Sequence, residues 1–163
     1  MSDEWLAISF ERGVFNYICV DMSTLNQILK IVSKHTLNGT FQTNRKTKLS
    51  DIFNSIPKGL ENNGVYFFTE KNHNGKEEIV YIGKNGTINT SGNLSNHMLK
   101  NRIMKGNNKS KWFSSNDYKV YWYVTVKKND KINADNIPSV VECELLKHYY
   151  NLEKKLPKYN NAF

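Results

Sequence analysis

Residues 64–83 of this chain read "GVYFFTEKNHNGKEEIVYIG", and this stretch decides how it folds. Two aromatic and β-branched runs, "GVYFFTEK" and "KEEIVYIG", flank "NHNG". Runs of this kind around an Asn-Gly predict an antiparallel hairpin. Side chains alternate between sheet faces with period two, so the register decides whether Tyr66 and Tyr81 share a face. A two-residue turn at Asn74-Gly75 pairs Phe68 with Tyr81 and Lys71 with Glu78, whereas a four-residue loop pairs Tyr66 with Tyr81 directly. Both put the tyrosines together, and a three-residue loop would separate them. The favourable Lys71–Glu78 pairing argues for the two-residue turn. Val65, Phe67, Val80 and Ile82 then line one face, and Tyr66, Phe68, Ile79 and Tyr81 the other. A hairpin apolar on both faces belongs in the middle of a covered sheet.

Downstream, "YKVYWYVTVKK" supplies a third core strand. Between these strands, "KNGTINTSGN" reads as loop and "LSNHMLKNRIMKG" as a helix capped by Asn93 or Ser95 and ended by Gly106. "IPSVVECELLKHYYNLEKK" reads as a second long helix that begins at Pro138 or Ser139. Upstream, "WLAISFE" and "FNYICVD" predict two strands around Arg12-Gly13. "MSTLNQILKIVSKH" predicts a helix capped by Ser23 or Thr24, with Leu25, Ile28, Leu29 and Val32 at helical spacing. "LNGTFQTNRKTK" reads as loop, and "LSDIFNSI" as a short helix or turn stopped by Pro57. "PKGLENNG" collects turn formers and suggests a soft boundary, with an extension over residues 1–58 and the main domain over 59–163.

The chain has 163 residues, enough for one domain with a core, and no apolar run long enough to span a membrane. Its first residues, "MSDEWLAISFERG", carry acids where a signal peptide needs bases, so a cytoplasmic protein is expected. Cys19 and Cys143 sit in apolar settings and read as buried thiols rather than a bridge. The four histidines make no zinc pattern with them. The net charge is +8, and its distribution matters more than its size. No acid occurs from Ile79 to Asn116, where Lys84, Lys100, Arg102, Lys105, Lys109 and Lys111 fall. None occurs from Met22 to Ser50, where Arg45, Lys46 and Lys48 cluster. Segregated positive charge points to a polyanionic partner.

Two charges stand where apolar residues belong. Leu94, Met98, Leu99 and Ile103 mark an apolar arc on the first of these helices, with Arg102 near its middle. Val141, Leu145, Leu146, Tyr149 and Leu152 mark the inward face of the second, with Glu142 inside it and Glu144 well away. An inward carboxylate must be paired or bind a cation. Periodicity leaves two readings equal: a buried Arg102–Glu142 salt bridge, or a functional cleft.

Gly64-Val65-Tyr66, Tyr81-Ile82-Gly83 with Lys84, Arg102, Glu142 in "VVECELL" and Asn160 in "LPKYN", in that order, resemble the GIY-YIG nuclease family. The resemblance runs from about Leu60 to the end of the sequence. It implies an α+β fold, a small three-stranded antiparallel sheet flanked by helices, here with an N-terminal α/β extension. It also implies Mg²⁺- or Mn²⁺-dependent hydrolysis of DNA phosphodiesters. Glu142 would then bind the metal and Arg102 hold the phosphate. Tyr66 would activate the attacking water with help from neighbouring cations, and Tyr81 would orient water or phosphate, although the two could exchange roles. Asn160 would brace the site or touch phosphate. His97, Lys84, Lys100, Lys105, Lys109 and Lys111 become candidate contacts to double-stranded DNA. Arg45, Lys46 and Lys48 in the basic loop join them.

The interval from Gly83 to Arg102 is long for the family, with room either for a base-contacting insertion or for a loop that is simply lax. A compact chain with this ending suits a type II restriction enzyme acting as a homodimer. A phage, mobile-element or repair nuclease is the alternative within the family. A non-catalytic nucleic-acid-binding module is the alternative outside catalysis, and the intact Tyr66, Tyr81, Arg102, Glu142 set argues against it.

Overall fold

The computed structural model describes residues 6–7, 17–18, 23–43, 59–95, 98–103, 117–127 and 130–161, the first two pairs as backbone only. Strands β1 (Leu6–Ala7) and β2 (Tyr17–Ile18) pair antiparallel, Leu6 opposite Ile18; the turn expected at Arg12-Gly13 lies outside the described residues. The main sheet holds β3 (Asn38–Thr43), β4 (Asn63–Lys71), β5 (Glu77–Asn85) and β6 (Tyr118–Val126), all antiparallel, in the order β3-β6-β4-β5. Helix α1 spans Thr24–Val32, residues 99–103 are helical (α2), and α3 spans Pro138–Glu153.

The sheet has four strands where three were expected. The extra strand, β3, lies in the segment read as loop. Its "NGTFQT" has a weak β pattern, and only Phe41 and Thr43 are buried. What holds it is β6, which offers a full ladder from Asn38–Tyr123 to Thr43–Tyr118. Gly39 permits that approach, since a Cβ there would stand 2.7 Å from the Trp122 ring. Tertiary pairing overrides a weak local preference. Both β3 and α1 precede residue 59, so that part of the chain supplies a strand and a helix to the same core.

The sheet is covered on both faces. On one, Val65, Phe67, Ile79, Ile82, Tyr121 and Tyr123 pack against α1 and α3 through Ile28, Val32, Val141, Leu145 and Tyr149. On the other, Tyr66, Phe68, Val80, Val120 and Trp122 pack with Leu60, Leu99 and Ile103. Each fully buried side chain of this size stabilises the fold by roughly 1.5–3 kcal/mol. Ser23 caps α1, its Oγ accepting from the Asn26 N–H at 3.3 Å, and Pro138 starts α3 at N1. Leu152 is exposed, so the inward face of α3 ends at Tyr149. Cys143 is also exposed, not buried, because it falls on the solvent side of α3 with Val140, Glu144 and Lys147. Cys19 and the segment "LSDIFNSI" lie outside the described residues.

The hairpin reaches its register by an unexpected route. Asn72 Oδ1 accepts from the N–H groups of Asn74 (2.9 Å) and Lys76 (3.0 Å), and the Asn72 N–H donates to the Lys76 carbonyl at 2.9 Å. That side chain closes a three-residue loop, with Gly75 at φ 75°. Lys71 consequently faces Glu77 rather than Glu78. Left alone, this register would part the two tyrosines. An irregularity opposite Phe68/Thr69 inserts one residue, Val80, and restores the Phe68–Tyr81 pair. Val80 therefore joins Tyr66, Phe68 and Tyr81 on one face, and Ile79 joins Ile82 on the other, reversing the expected places of Val80 and Ile79. From the outer edge the Tyr159 N–H donates to the Val80 carbonyl at 2.9 Å.

Candidate active site

The glycines beside the two tyrosines have separate packing reasons. A Cβ on Gly64 would lie 2.0 Å from the Tyr123 main-chain oxygen, so only glycine lets β4 run against β6 there. A Cβ on Gly83 would meet Tyr81 Cε1 at 2.7 Å and Tyr66 Cζ at 3.0 Å. Gly83 thus leaves the gap into which both rings lean, their centroids 6.0 Å apart at 41°.

The two phenols are not equivalent. Tyr66 is 2% exposed. Burial pushes its hydroxyl well above the ordinary tyrosine value, and hydrogen bonding with Tyr81 adds to this, against a smaller opposing pull from Arg102. Tyr81 is half-buried and forms part of the wall of a cleft of about 460 Å³. Among the described residues that cleft is lined by Tyr81, Lys84, Asn85, Gly86, Thr87, Asn101, Arg102 and Glu142.

The cleft lies where β5, an edge strand, emerges from between its two covering layers. Glu142 arrives from α3 on one face, one residue after the fully buried Val141. Arg102 arrives from α2 on the other face. There Leu99 and Ile103 are buried, and the N–H groups of Leu99 and Lys100 donate to the carbonyls of Asn62 and Leu60 at 3.1 Å. The expected helix over Leu94–Gly106 is not what forms at its start. Leu94 bridges Ile88, Ser95 Oγ accepts from the Thr87 N–H, and helix appears at residue 99. Met98 is exposed, so the apolar arc reduces to Leu99 and Ile103. Arg102 stands exposed on the cleft wall rather than in the core.

Of the two readings left open by periodicity, the salt bridge is not formed, and Arg102 and Glu142 both line the cleft. No contact ion pair joins Arg102 to Glu142 among the described residues. Glu142 is half-buried, and burial raises its carboxyl above the ordinary glutamate value, while Lys84 and Arg102 pull the other way. Desolvation therefore outweighs the two cations. Glu144, one position beyond Cys143, is exposed and only pairs with Lys34 at 3.9 Å.

Asn160 is used as a brace. Its Oδ1 accepts from the Ile82 N–H at 2.9 Å, and its Nδ2 donates to the Ile82 carbonyl at 2.8 Å. The side-chain amide thus takes the place of a neighbouring strand on the free edge of β5, between Tyr81 and Gly83. Lys100 is half-buried and does not line the cleft. His97, Lys105, Lys109, Lys111, Arg45, Lys46 and Lys48 lie outside the described residues. Sequence reasoning missed Asn85, Gly86, Thr87 and Asn101. Asn85-Gly86 carried a turn signal, and Asn85 in fact ends β5, its Nδ2 donating to Asn63 Oδ1 at 3.1 Å.

Chemically, the cleft offers two cations and a carboxylate held apart, with one phenol on the wall and a second behind it. A carboxylate that is partly desolvated yet unpaired suits a hard cation. Among the described residues no three His, Cys, Asp or Glu side chains cluster in a way that could hold a metal. A single-carboxylate site fits an ion that keeps most of its waters, as Mg²⁺ does, and does not fit a closed zinc site. No helix among the described residues is long and apolar enough to cross a membrane. Comparison of the chain with protein-family models, curated proteins and solved structures returned no match.

Proposed function

We propose that this protein is a metal-dependent DNA endonuclease of the GIY-YIG kind, and more narrowly a sequence-specific type II restriction enzyme. The observation that carries the reading is the convergence of Tyr81 and Lys84 from β5, Arg102 from α2 and Glu142 from α3 on one cleft. In this reading Glu142 holds Mg²⁺ or Mn²⁺, which when bound would supply Lewis-acid stabilisation of the leaving oxygen. Arg102 and Lys84 bind the non-bridging phosphate oxygens, and the forked guanidinium adds stabilisation as charge grows on the phosphate.

The phenols divide the remaining work. Tyr81, on the cleft wall, positions the attacking water and takes its hydrogen bond. Tyr66 is buried and strongly disfavours ionisation. It serves as the second member of a phenol pair and holds Tyr81 in place through the hydrogen bond between them. This reverses the order of roles that the resemblance implied first, and rests on which tyrosine lines the cleft. Asn160 keeps β5 in register beneath Tyr81.

The test is digestion of plasmid DNA by the purified chain in Mg²⁺ and in EDTA, followed by sequencing of the ends. Discrete fragments with a common end sequence, lost in EDTA, are the expected result. Smearing or nicking would leave a nuclease and remove the restriction reading. Intact plasmid under every divalent metal would overturn the proposal.

A further inference from the structure

Between two cleft-lining segments, Lys84–Thr87 and Asn101–Arg102, the chain makes a small excursion with its own structure. The Ser95 N–H donates to the Thr87 carbonyl (2.9 Å), Ile88 bridges Leu94, and the Asn89 N–H donates to the Asn93 carbonyl (2.8 Å). The Gly92 N–H closes the tip on the Asn89 carbonyl at 3.0 Å, with Gly92 at φ 77°. Asn89 Oδ1 locks the same tip by accepting from the N–H groups of Ser91 (3.1 Å) and Asn93 (2.9 Å). Residues 87–93 are all exposed. The segment is thus a two-stranded ribbon that stands on the rim of the cleft with a preformed end.

Its chemistry differs from that of the cleft. Residues 85–96 read "NGTINTSGNLSN" and carry no charge of either sign. A ribbon made to neutralise phosphates would need cations, which this one lacks, although neutral side chains can also touch phosphate oxygens. One bearing amides and hydroxyls suits the donors and acceptors of base edges, where an Asn amide pairs with adenine in two-point fashion and Ser or Thr serves any base. Asn89 already uses its side-chain oxygen at the tip. The reading groups are therefore the Asn93 amide and the Thr90 and Ser91 hydroxyls, with the exposed Ile88 side chain beside them for a thymine methyl.

Resting on the nuclease reading above, we infer that the Thr87–Ser95 ribbon enters the major groove of double-stranded DNA and reads bases next to the phosphate held in the cleft. The dimensions agree. The major groove is about 12 Å wide and 8.5 Å deep and admits a two-stranded ribbon. Three paired rungs and a tip reach roughly 10–13 Å at about 3.3 Å per residue. At about 3.4 Å per base pair, the bases read lie within about three pairs of the bond that is cut.

The test uses the full chain and a randomised duplex library, with bound sequences selected in EDTA and cleavage then scored in Mg²⁺. Asn93→Ala and the double change Thr90→Ala/Ser91→Ala are compared with wild type, with circular dichroism as a check on folding. Each should relax preference at one or two adjacent positions close to the cut by roughly five- to a hundred-fold. The salt dependence of binding should stay unchanged, since no phosphate contact is lost. Variants that keep the wild-type preference, or that weaken binding to every sequence alike, overturn the inference. A wild-type chain that cuts without preference overturns it too and leaves the nuclease reading standing. A chain that prefers sequences through this tip yet never cuts in Mg²⁺ supports the ribbon and overturns the nuclease.

Discussion

The two faces of the β4–β5 hairpin are built from the same alternating strands and do different work. The face under α1 and α3 is filled with Val65, Phe67, Ile79 and Ile82 and receives a hydroxyl from α3, that of Tyr149, which donates to the Ile79 carbonyl at 3.3 Å. The opposite face stacks Tyr66, Phe68 and Tyr81 and opens at its rim into the cleft. The first face fixes where α3 lies, and so where Glu142 emerges. The second presents the phenols. A site at the edge strand needs both, because its carboxylate and its arginine come from opposite sides of the sheet. The closed face should therefore tolerate little change in volume, and the open face should yield changes in rate at small cost in stability.

The change with the largest expected effect is Glu142→Gln, which should lower cleavage more than about a thousand-fold while DNA binding survives. Glu144→Gln, two residues on and paired only with Lys34 at the surface, should stay near wild type, as exposed ion pairs usually allow. Single-turnover cleavage with and without Mg²⁺ checks both. Loss of activity in Glu144→Gln with Glu142→Gln spared would place the metal on the wrong side of α3.

On the open face, Tyr81→Phe should slow single turnover by about a hundred-fold or more. Tyr66→Phe should cost less, because its hydroxyl acts through Tyr81. An equal or reversed ranking would return the first role to Tyr66.

The two signature glycines sharpen the comparison. Gly83→Ala should displace the Tyr81 ring and reduce the rate by about ten- to a hundred-fold, with a modest loss of stability. Gly64→Ala sets a methyl group against a main-chain oxygen that cannot withdraw without parting β4 from β6. It should destabilise by about 3 kcal/mol or more. Denaturant melts and rates, measured together, separate the two.

Asn160→Ala removes two hydrogen bonds to Ile82 and should cost about 1–3 kcal/mol, with a fall in rate from the loosened edge.

The smallest effect concerns Glu142 without metal. Burial raises its carboxyl in the folded state. Its contribution to stability is thus fully present below the ordinary glutamate range and is lost as pH rises through the folded-state value. Glutamine stays neutral throughout. Glu142→Gln should therefore melt above wild type at neutral pH in EDTA, and the gain should fade as pH falls through the carboxylate range. A variant that melts lower at neutral pH would mean that Arg102 and Lys84 outweigh desolvation.

Much of this was legible in the residues alone. Aromatic and β-branched runs around "NHNG" named the hairpin, and the spacing of Val141, Leu145 and Leu146 named α3 and set Glu142 apart from Glu144. Strong local preference and strong periodicity survive folding because burial rewards them directly. Other features depended on atoms far away in the sequence. β3 exists because β6 offers it a ladder and Gly39 admits the Trp122 ring. Tyr66 and Tyr81 share a face because one inserted residue, Val80, cancels the offset of a loop shaped by the Asn72 side chain. Leu94 left the helical arc because Ile88 pairs with it. Which phenol meets the cleft, and where Arg102 stands, followed from packing around Gly83 and from the anchoring of α2 on Leu60 and Asn62. The sequence by itself determined which polar residues stand out from the apolar pattern, since residue type and period are local properties. Only the tertiary structure decided which of them meet, since a one-residue slip in a strand turns a side chain to the opposite face.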